Sequence, residues 1–135
     1  MATRKKVQLK LDELERDGMV QKVTVSTQWI SCMVTVVKPN GKIRICLDPK
    51  DLNEAVLREN HQLPIIEDVS SRLHSAKVFT KLDARNGFWH AQLDEESSLL
   101  TTFHTPFGRY CLGRLPFGIC SVPEVFQQRM HKIVE

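Results

Sequence analysis

One carboxylate, Asp83, is the side chain of this 135-residue chain best placed to bind a divalent cation. It follows an alternating run over residues 76–82, which predicts a buried strand, and it precedes a tight turn at Asn86 and Gly87. A carboxylate at such a strand end can hold Mg²⁺, although an Asx turn or a helix cap explains the same local pattern. One carboxylate does not complete a metal site, and the nearby acids at 94–96 are predicted to lie in a solvated loop.

Two cations, Lys42 and Arg44, lie on one face of a predicted β-hairpin. Residues 33–37 are largely β-branched, residues 40–41 are an Asn-Gly pair typical of a type I′ turn, and residues 42–47 alternate between polar and apolar. The apolar residues of the second strand point to the opposite face. The two cations therefore form either a solvated strand face or a site for phosphate oxygens.

Helical patterns and short strands surround this hairpin and would position both features. We expect a helix that begins at Pro64 and buries Ile65, Val69 and Leu73. We also expect a final helix over residues 122–133. A further helix is predicted over residues 7–17, and further strands are predicted over residues 90–93, 99–104 and 109–112. This order of elements predicts an α+β fold with a mainly antiparallel sheet and packed helices.

Composition narrows the class of protein without identifying it. With 41% hydrophobic residues and a net charge of +3, the chain fits one mildly basic domain or lobe, compatible with a polyanionic partner. The four cysteines have no C-x-x-C spacing, which argues against a zinc ribbon. No apolar stretch reaches the length of a membrane span, so no membrane partner is expected. The polar start lacks the apolar region of a secretory signal, so we expect an intracellular protein that is not secreted, of otherwise unknown localisation.

Three segments occur in a fixed order: RICLDPKDLN (44–53), FTKLDARNGF (79–88) and LPFGICSVPEVFQ (115–127). Together they resemble successive motifs of the reverse transcriptases of gypsy-type LTR retrotransposons, and the run 101–110 is also similar to that group. The resemblance extends from about Leu11 to the end of the chain. It implies a right-hand polymerase, with a fingers-type region over about residues 1–75 and the first part of the palm over about 76–135.

The same resemblance implies an RNA-directed DNA polymerase that adds dNTPs to a primer on an RNA or DNA template, within a retroelement polyprotein. Two Mg²⁺ ions are the implied cofactors. By position, Asp83 matches the first catalytic metal-binding aspartate, and the Ala84 carbonyl would also face a metal. The implied dNTP-binding residues are Lys42, Arg44, Phe88, Phe117 and Gly118, and the implied template-binding residues are Gln127 and Arg129.

The role of Phe88 and the class of protein to which this polypeptide belongs both stay open. Phe88 matches an aromatic ring that would clash with a 2′-hydroxyl and so favour dNTPs, but it also fits a core phenylalanine. No Asp-Asp pair occurs in the sequence, so the family's aromatic-x-Asp-Asp motif is missing, and we expect this polypeptide alone to be inactive as a polymerase. The chain would then be a polymerase fragment, a non-catalytic nucleic-acid-binding remnant of a retroelement, or an interaction module without a nucleic-acid role.

Overall fold

A five-stranded sheet is the centre of the fold in the computed structural model, which describes residues 2–58 and 61–134. Its strands are β1 (Val20–Lys22), β2 (Ser31–Val37), β3 (Ile43–Asp48), β4 (Phe103–Thr105) and β5 (Gly108–Leu112). They lie in the order β1-β5-β4-β2-β3, and all neighbours are antiparallel except β2 and β4, which are parallel. The predicted α+β fold with a mainly antiparallel sheet is confirmed.

The predicted hairpin forms between β2 and β3, at one end of the sheet. Its turn is not of type I′, which needs a positive φ at both central residues, because only Gly41 has one (74°) and Asn40 does not. Pro39 explains the difference, since its ring favours the second position of a type I or type II turn. A bond from the Gly41 N–H to the Lys38 carbonyl (2.9 Å) closes this earlier turn.

Helix α1 (Ala2–Arg16) packs on the sheet. Its apolar residues Val7, Leu11 and Leu14 are spaced by four and three, so they lie on one helical face, and all three are buried. Their packing partners are the buried strand residues Val20, Ile43, Leu47, Phe103 and Tyr110. This cluster is the main core, and it fixes the position of β3 and therefore of the hairpin cations.

The other helices are α2 (Lys50–Ala55), α3 (Ile66–Leu73), α4 (Glu95–Leu100) and α5 (Val122–Val134), and residues Gly87–His90 form a 3₁₀ turn. Helix α4 contradicts the solvated loop predicted at 94–96 and shortens the strand predicted over 99–104. The reason is a cap, because the Asp94 side chain accepts the Ser97 N–H at 2.7 Å. The strand predicted over 90–93 is reduced to a single bridge between Gln92 and Arg114. None of the described helices has the length and apolar character needed to cross a membrane.

The strand predicted over residues 76–82 does not form, and all of these residues are exposed. Helix α3 lies where it was predicted, but Ile65, Val69 and Leu73 are 57%, 43% and 43% exposed rather than buried. Alternation determines which face of a strand is apolar, but a strand also needs a neighbour to pair with its backbone N–H and C=O groups. No described strand pairs with this segment.

The sheet combines strands from both sides of residue 75, near which the family resemblance predicts a boundary between fingers-type and palm-type regions. Strands β1, β2 and β3 precede that residue, and β4 and β5 follow it. Because β4 lies between β5 and β2, the two regions share one continuous set of backbone hydrogen bonds. Arg44, on β3, is therefore held by a sheet to which both halves of the chain contribute.

Candidate functional site

The side chains of Lys42 and Arg44 are exposed at the tip of the β2–β3 hairpin and on β3. The backbone of Lys42 is fixed on both sides, since its N–H donates to Asn40 Oδ1 (3.1 Å) and its carbonyl accepts the Lys38 N–H (2.8 Å). The one ion pair in the described part of the chain lies within α1, so no acidic side chain of the described residues forms an ion pair with Lys42 or Arg44. Cations that have no acidic partner, and whose backbone is held in place by hydrogen bonds, can bind an anionic ligand.

A cavity of about 460 Å³ lies beside these cations. Core side chains of α1 and the sheet line part of it, and charged side chains line the rest. The cationic residues are Lys10, Lys38, Lys42, Arg44 and Arg85, and the acidic ones are Glu13 and Asp17. Lys10 and Glu13 pair with each other at 3.0 Å, which leaves an excess of positive charge to attract a phosphate-bearing ligand.

Four side chains form a continuous row from the hairpin to α5, which we call the cation–aromatic row. The Arg44 guanidinium lies 5.6 Å from the ring centroid of Phe117. The Phe117 ring centroid is 4.9 Å from that of Phe88, which is 5.2 Å from that of Phe126. The row therefore joins the three segments that carry the family resemblance, although they are far apart in sequence.

The loop that contains Phe117 is held against the start of α2. Gly118 has a φ of +97°, a conformation that favours glycine, and a Cβ there would lie 3.5 Å from the Pro49 ring. The Asn53 side chain binds the loop twice: its Nδ2 donates to the Gly118 carbonyl and its Oδ1 accepts the Cys120 N–H, both at 2.9 Å. Sequence reasoning assigned no role to Asn53, although the residue ends the first motif segment.

Asp83 is exposed and does not line the cavity, whereas Arg85 and Asn86, two and three residues later, do. The turn after Asp83 is ordered, because Asn86 has a left-handed φ of 52° and a ring nitrogen of His90 lies 2.9 Å from the Arg85 carbonyl oxygen. The predicted turn is present, but the predicted strand before it is not. Sequence reasoning also missed Arg85 and Asn86 as cavity residues, even though both lie in the second motif segment.

The described residues do not fit a site for two Mg²⁺ ions. Asp83 supplies one carboxylate and Ala84 one backbone carbonyl. Nowhere in residues 2–58 and 61–134 do three or more His, Cys, Asp or Glu side chains come together as a metal site. Two divalent cations held close together repel each other and need several negatively charged ligands. One carboxylate and one carbonyl are too few, so these residues support no reaction step that uses a metal ion.

The two residues expected to meet a template, Gln127 and Arg129, lie on α5 just beyond the cation–aromatic row. Gln127 follows Phe126 directly and is half-buried, and Arg129 is exposed. Neither residue lines the cavity. Their contact with a template stays a prediction.

Comparison with known proteins identifies the family. A family model described as reverse transcriptase (RNA-dependent DNA polymerase) matches residues 36–135. This chain belongs to the reverse transcriptase family. The resemblance inferred from the three motif segments is thus confirmed for the family, and the gypsy-type subclass stays a prediction.

Individual relatives agree with this assignment. The chain is 35% identical over 130 residues to the retrovirus-related Pol polyprotein from transposon 412 of Drosophila melanogaster, covering 92% of this chain and 10% of the relative. It is 36% identical over 90 residues to the enzymatic polyprotein of figwort mosaic virus (strain DxS), covering 67% of this chain and 14% of the relative. The chain thus spans only a small part of the curated relatives that it matches.

The same fold occurs in a solved reverse transcriptase. The structure of the foamy viral protease-reverse transcriptase dRH in complex with double-stranded DNA matches 97% of this chain and 23% of that chain, with a TM-score of 0.76 and 24% identity. At this identity the likeness shows the fold. It supports the right-hand polymerase architecture that the motif segments imply.

Proposed function

We propose that this reverse transcriptase chain binds the triphosphate of an incoming dNTP at the cation–aromatic row, as part of an RNA-directed DNA polymerase in a gypsy-type retroelement polyprotein. The observation that carries the proposal is the contact between Arg44 and Phe117 at a cavity with excess positive charge, with Phe88 packed against Phe117 outside the cavity lining. Its partners would be a primer on an RNA or DNA template and the rest of the polyprotein. About residues 1–75 would act as the fingers-type region and about 76–135 as the first part of the palm.

Each of the predicted nucleotide-binding residues has a role that its chemistry suits. Arg44 stacks beside the Phe117 ring, which restricts the guanidinium and leaves its N–H donors for two phosphate oxygens at once. Lys42, at the hairpin tip, adds a mobile point charge for the outer phosphates. Phe88 packs against Phe117, and if it lies beneath the sugar of a bound nucleotide its ring would clash with a 2′-hydroxyl. Gly118 lets the loop backbone approach the nucleotide.

In the reaction of the complete enzyme, the primer 3′-hydroxyl would lose its proton to solvent as its oxygen bonds to the α-phosphorus of the dNTP, while the bond from that phosphorus to the α–β bridging oxygen breaks and pyrophosphate leaves with the electron pair. The residues of this chain would bind and orient the triphosphate for that attack. Asp83 and the Ala84 carbonyl would supply only part of the ligands for two Mg²⁺ ions. Gln127 and Arg129 would contact the template. We therefore expect this polypeptide alone to bind dNTPs but not to extend a primer.

Calorimetric titration with dTTP tests the proposal directly. Arg44→Ala removes a charge-assisted hydrogen-bond donor, worth about 1.5–3 kcal/mol, and should weaken dTTP binding by roughly 10- to 100-fold. Arg72→Ala is the matched control, because Arg72 is exposed on α3 and does not line the cavity. If both substitutions change affinity equally, or neither does, the cavity is not the triphosphate site.

Added Mg²⁺ separates this proposal from a nucleic-acid-binding remnant that uses no metal. A polymerase-derived site predicts that Mg²⁺ strengthens dTTP binding and that Asp83→Asn removes this gain. The neighbouring substitution Lys81→Ala serves as the control, since it alters an exposed side chain without removing a carboxylate. A remnant would bind a primer–template duplex in a salt-dependent way and show no effect of Mg²⁺ on dTTP affinity.

A further inference from the structure

We propose that Asn53 is a positioning residue for the nucleotide site, an inference that rests on the proposed function of that site. Its side-chain amide donates to the carbonyl of Gly118 and accepts the N–H of Cys120, each at 2.9 Å. These two partners are 65 and 67 residues further along the chain. One planar amide thus binds both ends of a three-residue backbone stretch, in the way that a neighbouring strand would.

The rest of the junction between α2 and the loop supports this role. The Asn53 N–H donates to the Pro49 carbonyl at 2.8 Å, which fixes Asn53 on the first turn of α2. Gly118 lies against the Pro49 ring and near the Leu47 carbonyl, so the loop follows the end of β3 closely. β3 carries Arg44 and is followed at once by α2. The Asn53 amide therefore links the loop, through α2, to the strand that carries the Arg44 guanidinium.

The consequence for the site concerns Phe117, which directly precedes Gly118. Its ring contacts both the Arg44 guanidinium and the Phe88 ring, and it is 44% exposed, so packing alone holds it weakly. Without the Asn53 amide, the backbone after Phe117 loses two side-chain hydrogen bonds to α2. Asn53 would therefore set the distance between Arg44 and the loop without touching the nucleotide.

Substitutions at Asn53 separate positioning from local helix stability. Alanine is a better helix former than asparagine, so Asn53→Ala favours α2 itself while it removes both bonds to the loop. We expect Asn53→Ala to accelerate amide hydrogen exchange at Cys120 by tenfold or more, to shift the NMR signals of the Phe117 ring, and to weaken dTTP binding about 3- to 10-fold. The control Glu54→Gln alters the neighbouring exposed side chain of α2 and should leave all three measurements unchanged.

A pH rescue provides the sharper readout. In Asn53→Asp the ionised carboxylate still accepts the Cys120 N–H but repels the Gly118 carbonyl. When it is protonated, it regains a donor of nearly the same shape as the amide. The Phe117 ring signals of Asn53→Asp should therefore move from variant-like at neutral pH to wild-type-like at acidic pH, while those of the wild type and of Asn53→Ala do not.

The outcomes distinguish the two levels of the proposal. If Cys120 exchange and the Phe117 signals are the same in Asn53→Ala and the wild type, or if the pH rescue fails, Asn53 does not position the loop. If those signals respond as expected but the wild type shows no affinity for dTTP, the proposed function fails while the structural role of Asn53 stands. If the wild type binds dTTP and Asn53→Ala binds it equally well, the inference about the nucleotide site is refuted.

Discussion

Replacing Gly87 with alanine tests whether the 3₁₀ turn and α5 pack as described, and therefore whether Phe88 is held in place. A Cβ at Gly87 would lie 2.9 Å from Phe126 Cζ and 3.4 Å from Phe126 Cε2, whereas carbon atoms in good contact are about 3.5–4.0 Å apart. Gly87 is not among the glycines with a positive φ, so its backbone accepts alanine without strain. The packing of Phe126 thus decides the cost.

The expected magnitude follows from two opposing effects. Gly→Ala at a compatible position usually stabilises a protein by about 0.4–1 kcal/mol, because the unfolded chain loses freedom. Here the new methyl group must displace the Phe126 ring, and overpacking of this kind costs about 1–3 kcal/mol. Displacement also disturbs the Phe126–Phe88 edge contact, of a kind worth about 0.5–1.5 kcal/mol. We therefore expect Gly87→Ala to lower the free energy of unfolding by about 2 kcal/mol, and to weaken dTTP binding through the shifted Phe88.

A double-mutant cycle in urea checks this reasoning. Phe126→Leu removes the atoms that the new methyl group would meet, so in that background Gly87→Ala should be neutral or stabilising. The difference between the two backgrounds measures the steric conflict itself. If alanine at position 87 has the same effect in both backgrounds, or stabilises the wild type, then Gly87 and Phe126 are not in the described contact.

Three further predictions concern pH and surface. Burial raises the pKa of Tyr110, the only tyrosine, and the charge of Glu15 raises it further, so a spectrophotometric titration should give a phenol pKa above that of free tyrosine, slightly lower in Glu15→Gln. Because the folded-state pKa is raised, stability should fall as the pH rises above about 10, and less so in Tyr110→Phe. Hydrogen bonds from Ser97 hold the pKa of Asp94 below its usual range. Asp94 therefore stabilises the fold above its unfolded-state pKa, and Asp94→Ala should lower the Tm at neutral pH while leaving it nearly unchanged in strong acid, as followed by circular dichroism. The exposed apolar side chains of α3 should bind a hydrophobic dye, and Val69→Ser should reduce that binding without lowering the Tm.

The sequence predicts those parts of the fold in which neighbouring residues determine the structure. The hairpin and α5 are each defined by their own periodicity and turn residues, so they lie where they were predicted, and α1 ends where it was predicted but begins at Ala2, five residues before the predicted start. Even there the turn type was wrong, because Pro39 shifts the turn by one residue relative to the Asn-Gly pair. Asp94 shows the same limit, since a polar residue before a polar run predicts either a loop or a helix cap, and the bond to the Ser97 N–H decides between them.

Some parts of the candidate site can likewise be predicted from the local sequence, and others cannot. The positions of Lys42 and Arg44 on one side of the hairpin follow from alternation, and the family resemblance implies their grouping with Phe88 and Phe117. Asn53 was not predicted, because its partners are more than sixty residues away and the contact depends on how the loop folds back over α2. A hydrophilic residue in a short helix gives no local sign of such a partner.

The phosphate-binding part of the site and its metal-binding part differ in how the described residues support them. Arg44 stands on a strand paired along its whole length with β2, and Phe117 lies in a loop held by the Asn53 amide. Asp83 instead follows an exposed segment that pairs with no described strand, so no sheet hydrogen bonds hold its carboxylate in place for a cation. Ordering a residue costs conformational entropy, which reduces the net gain from metal binding. In this chain the triphosphate affinity due to Arg44 should therefore exceed the additional affinity that Mg²⁺ provides through Asp83.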